Sequence, residues 1–160
     1  MKNLDDAAMS THRTFAKELF NRTWKIIGNA SRREADTAEM IHTAHASRYH
    51  WHVLVTEGEG TPLNEARGDW LLARVYALAG EPLQASKYAE RSRAAVEKHD
   101  LGAFDLAFAH EAIARAAALL GDANLAKTHL NAARNLVARI DSEGNCSWLL
   151  ENLETIEVPD

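Results

Sequence analysis

Apolar residues recur along this chain every three or four positions, and no stretch alternates with the period of two that a half-buried strand requires. Alanine is abundant and β-branched residues are few, which again favours helix over strand. Turn and capping residues then divide the chain. Ser31-Arg32-Arg33-Glu34 has the S-x-x-E form of a capping box, in which serine and glutamate each satisfy an orphan backbone donor. Thr61-Pro62 and Glu81-Pro82 place proline at a first helical position, where its missing N–H costs nothing. Gly80 and Gly121 stand where a left-handed residue ends a helix, and Asp122 can cap the next one. Gly144-Asn145 breaks the chain again before a short terminal segment. The pattern predicts seven helices, near 4–28, 32–56, 62–79, 82–98, 102–120, 122–141 and 146–156. Their short connections make sequential helices antiparallel neighbours. The expected fold is therefore one all-α domain over 1–160, with an N-terminal hairpin in 1–60, two hairpins in 61–143 and a last helix in 145–157.

Two segments align without gaps at a period of 41 residues. Leu72-Ala73-Arg74-Val75-Tyr76-Ala77-Leu78-Ala79-Gly80 lies over Ile113-Ala114-Arg115-Ala116-Ala117-Ala118-Leu119-Leu120-Gly121. The match continues through Ala85 with Ala126, Ser92 with Ala133, Arg93 with Arg134 and Val96 with Val137. This resembles the tetratricopeptide repeat, whose pattern runs W-x2-L-G-x2-Y, a glycine turn, then A-x3-F. The first copy reads Leu72-Ala73-x2-Tyr76, Gly80, Ala85-x3-Ala89, and the second Ile113-Ala114-x2-Ala117, Gly121, Ala126-x3-Leu130. A weaker half-copy, Phe20-x3-Trp24-x3-Gly28, suggests that the first two helices form a third hairpin. The period differs from the family's 34, and both copies lack its leading tryptophan and closing proline. The whole is similar to small bacterial proteins of this repeat-like type. The resemblance implies a short right-handed solenoid, whose end a helix carrying Trp148, Leu149, Leu150, Leu153 and Ile156 would cap.

A hydrophobic fraction of 46% against 26% charged residues places the chain among core-forming globular proteins rather than disordered ones. The formal net charge of −5, with Arg32-Arg33 the only adjacent basic pair, argues against nucleic acid as a partner. No run of 18 apolar residues exists, so no membrane span is expected. The first six residues, Met1-Lys2-Asn3-Leu4-Asp5-Asp6, carry acids where a signal peptide needs an apolar stretch. Cys146 is the only cysteine, which rules out an internal disulfide and fits a reducing, cytoplasmic setting.

The second helix holds His42, His45, His50 and His52, half of the eight histidines. At 100° per residue His42, His45, Tyr49 and His52 form one stripe, and Met40, Ala44, Trp51 and Val55 another. Glu39 and His50 lie together on a third side, so the helix should be buried on two faces. Imidazoles three apart can share a cation or titrate near neutrality, which makes His42, His45 and His50 the candidates for a metal. The spacing H-x2-H-x4-H-x-H nevertheless matches no metal motif, and the alternative is a set of hydrogen-bonded histidines with no ligand.

On the third helix Asn64, Arg67, Leu71, Arg74 and Leu78 share a face, and on the fifth Phe104, Phe108, Glu111 and Arg115 do. Across the 41-residue period Asn64 matches Asp105 and Arg74 matches Arg115. The resemblance places the first helix of each hairpin on the concave side, and so implies a groove containing Arg67, Arg74, Asp105, Glu111 and Arg115. Guanidinium groups there can grip a carboxylate or phosphate, or simply pair with the two acids. If the second, third and fifth helices present these faces together, His45 and His50 join Asn64, Arg67, Arg74, Asp105, Glu111 and Arg115 in one polar pocket. No nucleophile elbow, phosphate loop or paired-cysteine motif appears.

The function read from this pattern is a non-enzymatic binding module whose groove holds a peptide, a partner protein or a small anionic ligand, without a cofactor. An alternative is a small metal-dependent or acid–base enzyme or sensor built on the histidine-rich helix. A third is an oligomerisation unit, forming a homo-oligomer through a large apolar face.

Overall fold

The computed structural model describes residues 4–160. Among them all regular structure is helical. The helices are α1 (Asp6–Ile27), α2 (Glu34–Thr56), α3 (Pro62–Leu78), α4 (Pro82–His99), α5 (Ala103–Leu119), α6 (Ala123–Leu136) and α7 (Glu143–Glu154), with a 3-10 turn over Val137–Arg139.

Most of the punctuation acts as its chemistry suggests. Pro62 and Pro82 open α3 and α4. Gly80 and Gly121 take φ values of +75° and +82°, a conformation that any Cβ would strain. The Asp122 carboxylate accepts the Leu125 N–H at 2.9 Å. Several boundaries differ from the sequence pattern. Helix α2 starts at Glu34 because Arg32 folds back, donating to the carbonyls of Ile27 at 2.6 Å and Asn29 at 2.9 Å. That contact keeps Ser31 out of the capping role, and Asp36 instead accepts the Arg33 N–H at 2.9 Å. Helix α7 starts before Gly144, since the Ser142 hydroxyl caps the N–H of Asn145 at 3.3 Å. The sixth helix also stops short of residue 141, tightening into the 3-10 turn after Leu136.

Each helix from α1 to α5 packs on the next, α3 also lies against α5, and α7 rests on α5. Helix α2, between α1 and α3, is thus covered on two sides. Small residues set the close approaches. Ala85 and Ala89 of α4 are fully buried, as are Ala126 and Ala133 of α6. The Ser92 hydroxyl of α4 donates to the Ala66 carbonyl of α3 at 2.9 Å. The first hairpin repeats this contact, Ser47 of α2 donating to the Ala16 carbonyl of α1 at 2.8 Å. Helix α7 seats Leu149 and Leu153 in the core and leaves Leu150 outside. Tyr76 is less interior than its match Ala117: it is half-buried, with its ring stacked on Tyr88 and its hydroxyl 2.8 Å from His45.

Gly68, in the middle of α3, marks a contact that spacing alone does not reveal. A Cβ there would lie 2.5 Å from Cδ of Arg48. Arg48 cannot retreat, because it is held by Glu65 and by the buried Asp69, each at 3.0 Å. Replacing a mid-helix glycine by alanine ordinarily stabilises by about 1 kcal/mol. Gly68→Ala should instead destabilise the wild-type chain, and should recover the ordinary gain in an Arg48→Ala background. Urea unfolding of the four proteins in this cycle checks it, and the same sign in both backgrounds would refute the contact.

Candidate binding site

Aromatic side chains from four helices that are not consecutive in the chain meet around one cavity of about 220 Å³. Helix α1 supplies Phe20 and Trp24, α3 supplies Trp70, α5 supplies Phe104 and Phe108, and α7 supplies Trp148. Each pair within a helix is spaced by four, which puts both rings on one face. Trp24 stacks on Trp70 with centroids 5.5 Å apart, and Phe108 meets Trp148 at 4.5 Å. Trp70 also meets Phe108 edge to face at 5.4 Å. Three of the four tryptophans and three of the four phenylalanines are gathered here, so most of the chain's aromatic area is spent on one spot. Trp70 is only 8% exposed, but Trp148 remains 39% exposed and opens the cavity to solvent.

A polar pair stands at its edge. Arg67 of α3 grips Asp105 of α5 through both ends of its fork, at 2.7 and 3.0 Å. Its guanidinium also lies 5.9 Å from the centroid of Phe104. The hydrogen bond to Asp105 raises the Arg67 pKa further above its ordinary value, so the cation is permanent. Beyond Arg67 the surface continues into a second depression of about 260 Å³, lined by Lys17, Phe20, Asn21, Trp51, Asn64 and Arg67. Asn64 already accepts the Thr61 N–H at 2.9 Å as a helix cap. Lys17 has no ion pair among the described residues.

Behind the cavity Trp70 turns its indole N–H to Glu111, 3.3 Å from Oε2. Glu111 is 1% exposed and also receives Arg115, whose Nε stands 2.7 Å from Oε1. Arg115 ties this group to the end of α7 through the Asn152 carbonyl at 3.0 Å and the Thr155 hydroxyl at 2.8 Å. Arg74 approaches Glu111 no closer than 3.6 Å.

The structure thus brings together Arg67 with Asp105, and Arg74 with Glu111 and Arg115, but not all eight polar candidates in one pocket. His45 faces away, between Tyr76 and Tyr88, and shares a shallow depression with Tyr49, His52, Glu65 and Asp69. His50 packs on α1, its Nδ1 2.9 Å from Nδ1 of His12 and its ring stacked on Phe15. His42 is exposed and His52 bonds Glu65 at 2.8 Å. Neighbouring elements claim these rings separately, and no group of three or more His, Cys, Asp or Glu side chains among the described residues is placed to hold a metal ion. Sequence reasoning missed the aromatic cavity. Its signal was the i,i+4 pairs Phe20/Trp24 and Phe104/Phe108, with Trp70 between Arg67 and Arg74 on the inner face of α3.

Two expectations follow. Glu111→Gln keeps the shape and the indole contact but removes the one negative charge facing Arg74 and Arg115. It should cost about 3 kcal/mol or more, as breaking a buried pair does, and adding Arg74→Met should restore part of the loss. Chemical denaturation of both variants is the check, and a Glu111→Gln loss under about 0.5 kcal/mol, the range of an ordinary surface change, would contradict it.

Burial pushes the imidazoles of His45, His50, His110 and His129 below their ordinary range, with a neighbouring histidine adding to it at the first three. The unfolded chain therefore takes up protons near the usual histidine pKa of about 6.5 while the folded chain still resists them. Stability should be level above that value and fall as the pH descends through it. Urea midpoints at pH 7.5 and 5.5 test the sign, and an unchanged or higher midpoint at pH 5.5 would reverse it.

No protein-family model, curated protein or solved structure matches this chain.

Proposed function

We propose that this chain is a non-enzymatic binding module, a short tetratricopeptide-like stack of helical hairpins whose aromatic cavity receives a bulky side chain of a peptide or protein partner. One observation carries the reading: six aromatic rings from α1, α3, α5 and α7 surround a cavity with an exposed tryptophan at its mouth. The rings pack on one another yet leave a cavity open at Trp148, and concave aromatic sites with a few polar groups at the edge are where ligands are held. The recurrence of the hydroxyl-to-carbonyl contact in the first two hairpins supports stacking of like units. Arg67 donates and Asp105 accepts, so together they offer a main-chain amide both of the partners it needs. The depression beyond Arg67, with unpaired Lys17, gives such a peptide a direction: apolar at Trp148, acidic towards Lys17.

A random peptide display library panned on the protein tests this. The enriched peptides should share an aromatic or large aliphatic residue flanked by acids, and should quench tryptophan fluorescence on binding. Phe104→Ala should weaken them at least about tenfold, as loss of a pocket wall at a hot spot does, with little change in melting temperature. An absence of any shared motif, or equal binding by Phe104→Ala, would refute the proposal.

A further inference from the structure

The polar group behind Trp70 is not balanced. Arg74 and Arg115 both turn to Glu111, the one carboxylate either pairs with among the described residues. Glu111 is engaged at both oxygens, with Arg115 on Oε1 and the Trp70 indole on Oε2. Arg74 is left over. Its side chain is 16% exposed, its NH1 is buried with no hydrogen-bond partner, and the nearest carboxylate oxygen is 3.6 Å away. Arg115 spends its NH2 on Glu111 and on the end of α7.

Such an arrangement is costly in an empty state. A buried guanidinium needs acceptors, and a buried charge needs a counter-charge. Burial, Arg115 and Arg32 all push the Arg74 pKa down, against the pull of Glu111. Arginine does not give up its proton under ordinary conditions. A water molecule could satisfy an N–H but would leave the surplus charge in place. What meets both requirements is an anion whose oxygens can accept several N–H groups at once.

We propose that Arg74, with Arg115 beside it, holds a small oxyanion, a carboxylate or a phosphate. This site is separate from the aromatic cavity, which lies on the other side of Trp70, and the proposal stands whether or not that cavity takes a peptide. Arg74 supplies the unused donors. Arg115 fixes one side of the site through its bonds to Glu111 and the end of α7.

Thermal melts in inorganic phosphate, acetate and chloride at matched ionic strength test it, with the wild type compared with Arg74→Met. In the wild type, phosphate or acetate should raise the melting temperature saturably above chloride, by roughly 3 °C at ten times the dissociation constant. Arg74→Met should melt higher than the wild type in chloride, since it loses an uncompensated charge, and should show no saturable rise. A response to both anions identifies a carboxylate-type grip, and a response to phosphate alone a tetrahedral one. Each supports the site. Equal responses of wild type and Arg74→Met would assign the rise to general salt effects and overturn the proposal, as would no rise in the wild type. Phosphorus NMR line widths of inorganic phosphate with wild type and Arg74→Gln give a second reading that does not depend on Arg74→Met folding. Broadening by the wild type that Arg74→Gln reduces supports the site, and identical widths count against it.

Discussion

The buried carboxylate of Glu111 is the constraint on which the inner side of this molecule depends. It lies at the meeting of α3, α5 and α7, and a charge so placed is tolerable only while cations and an N–H surround it. Arg115 answers it from its own helix and reaches on to the last turn of α7. Trp70 answers it from α3, and that hydrogen bond fixes which way the indole plane faces. The aromatic cavity is built on that plane, because Trp24 stacks on it and Phe108 meets it edge-on. One acidic side chain thus orients both the charged group behind Trp70 and the apolar surface in front of it.

The two surfaces ask for different things. The aromatic one is nearly neutral, since Arg67 and Asp105 cancel, and what it offers is chiefly apolar area and ring faces. The charged one is small, cationic and short of acceptors. The overall excess of acids, −5 across the chain, conceals this local reversal of sign.

Much of the fold was legible in the sequence because local rules decide it. Pro62, Pro82, Gly80, Gly121 and Asp122 act over a few residues, and their geometry depends little on distant packing. The ends of α2 and α7 were misplaced where a non-local or competing contact won: Arg32 reaching back to α1, and Ser142 capping ahead of a glycine. The arginine–acid pairs between α3 and α5 were readable for a related reason. Across the 41-residue period Trp70 stands opposite Glu111, and Arg67 reaches Asp105 one turn earlier on α5. The aromatic cavity escaped because no spacing within one helix says that α1 and α7 come to the same place. The histidines of α2 escaped in the opposite sense: their stripe was right for His45 and His52, but which neighbour each ring meets is decided by α1, α3 and α4.

The hairpins also differ in how their two helices are keyed together. In α3/α4 the key is a serine hydroxyl on a backbone carbonyl, a bond indifferent to acidity. The α1/α2 hairpin has that key and a histidine pair as well. In α5/α6 alanine stands where the serine was, and the one side-chain hydrogen bond between these helices among the described residues joins Nδ1 of His110 to Nδ1 of His129 at 2.8 Å. Two ring nitrogens can share that bond only while one of them lacks a proton. The one such bond between its partner and the helix that carries Phe104, Phe108, Asp105 and Glu111 therefore needs an unprotonated ring nitrogen, whereas the apolar packing of Ala126, Leu130 and Ala133 does not.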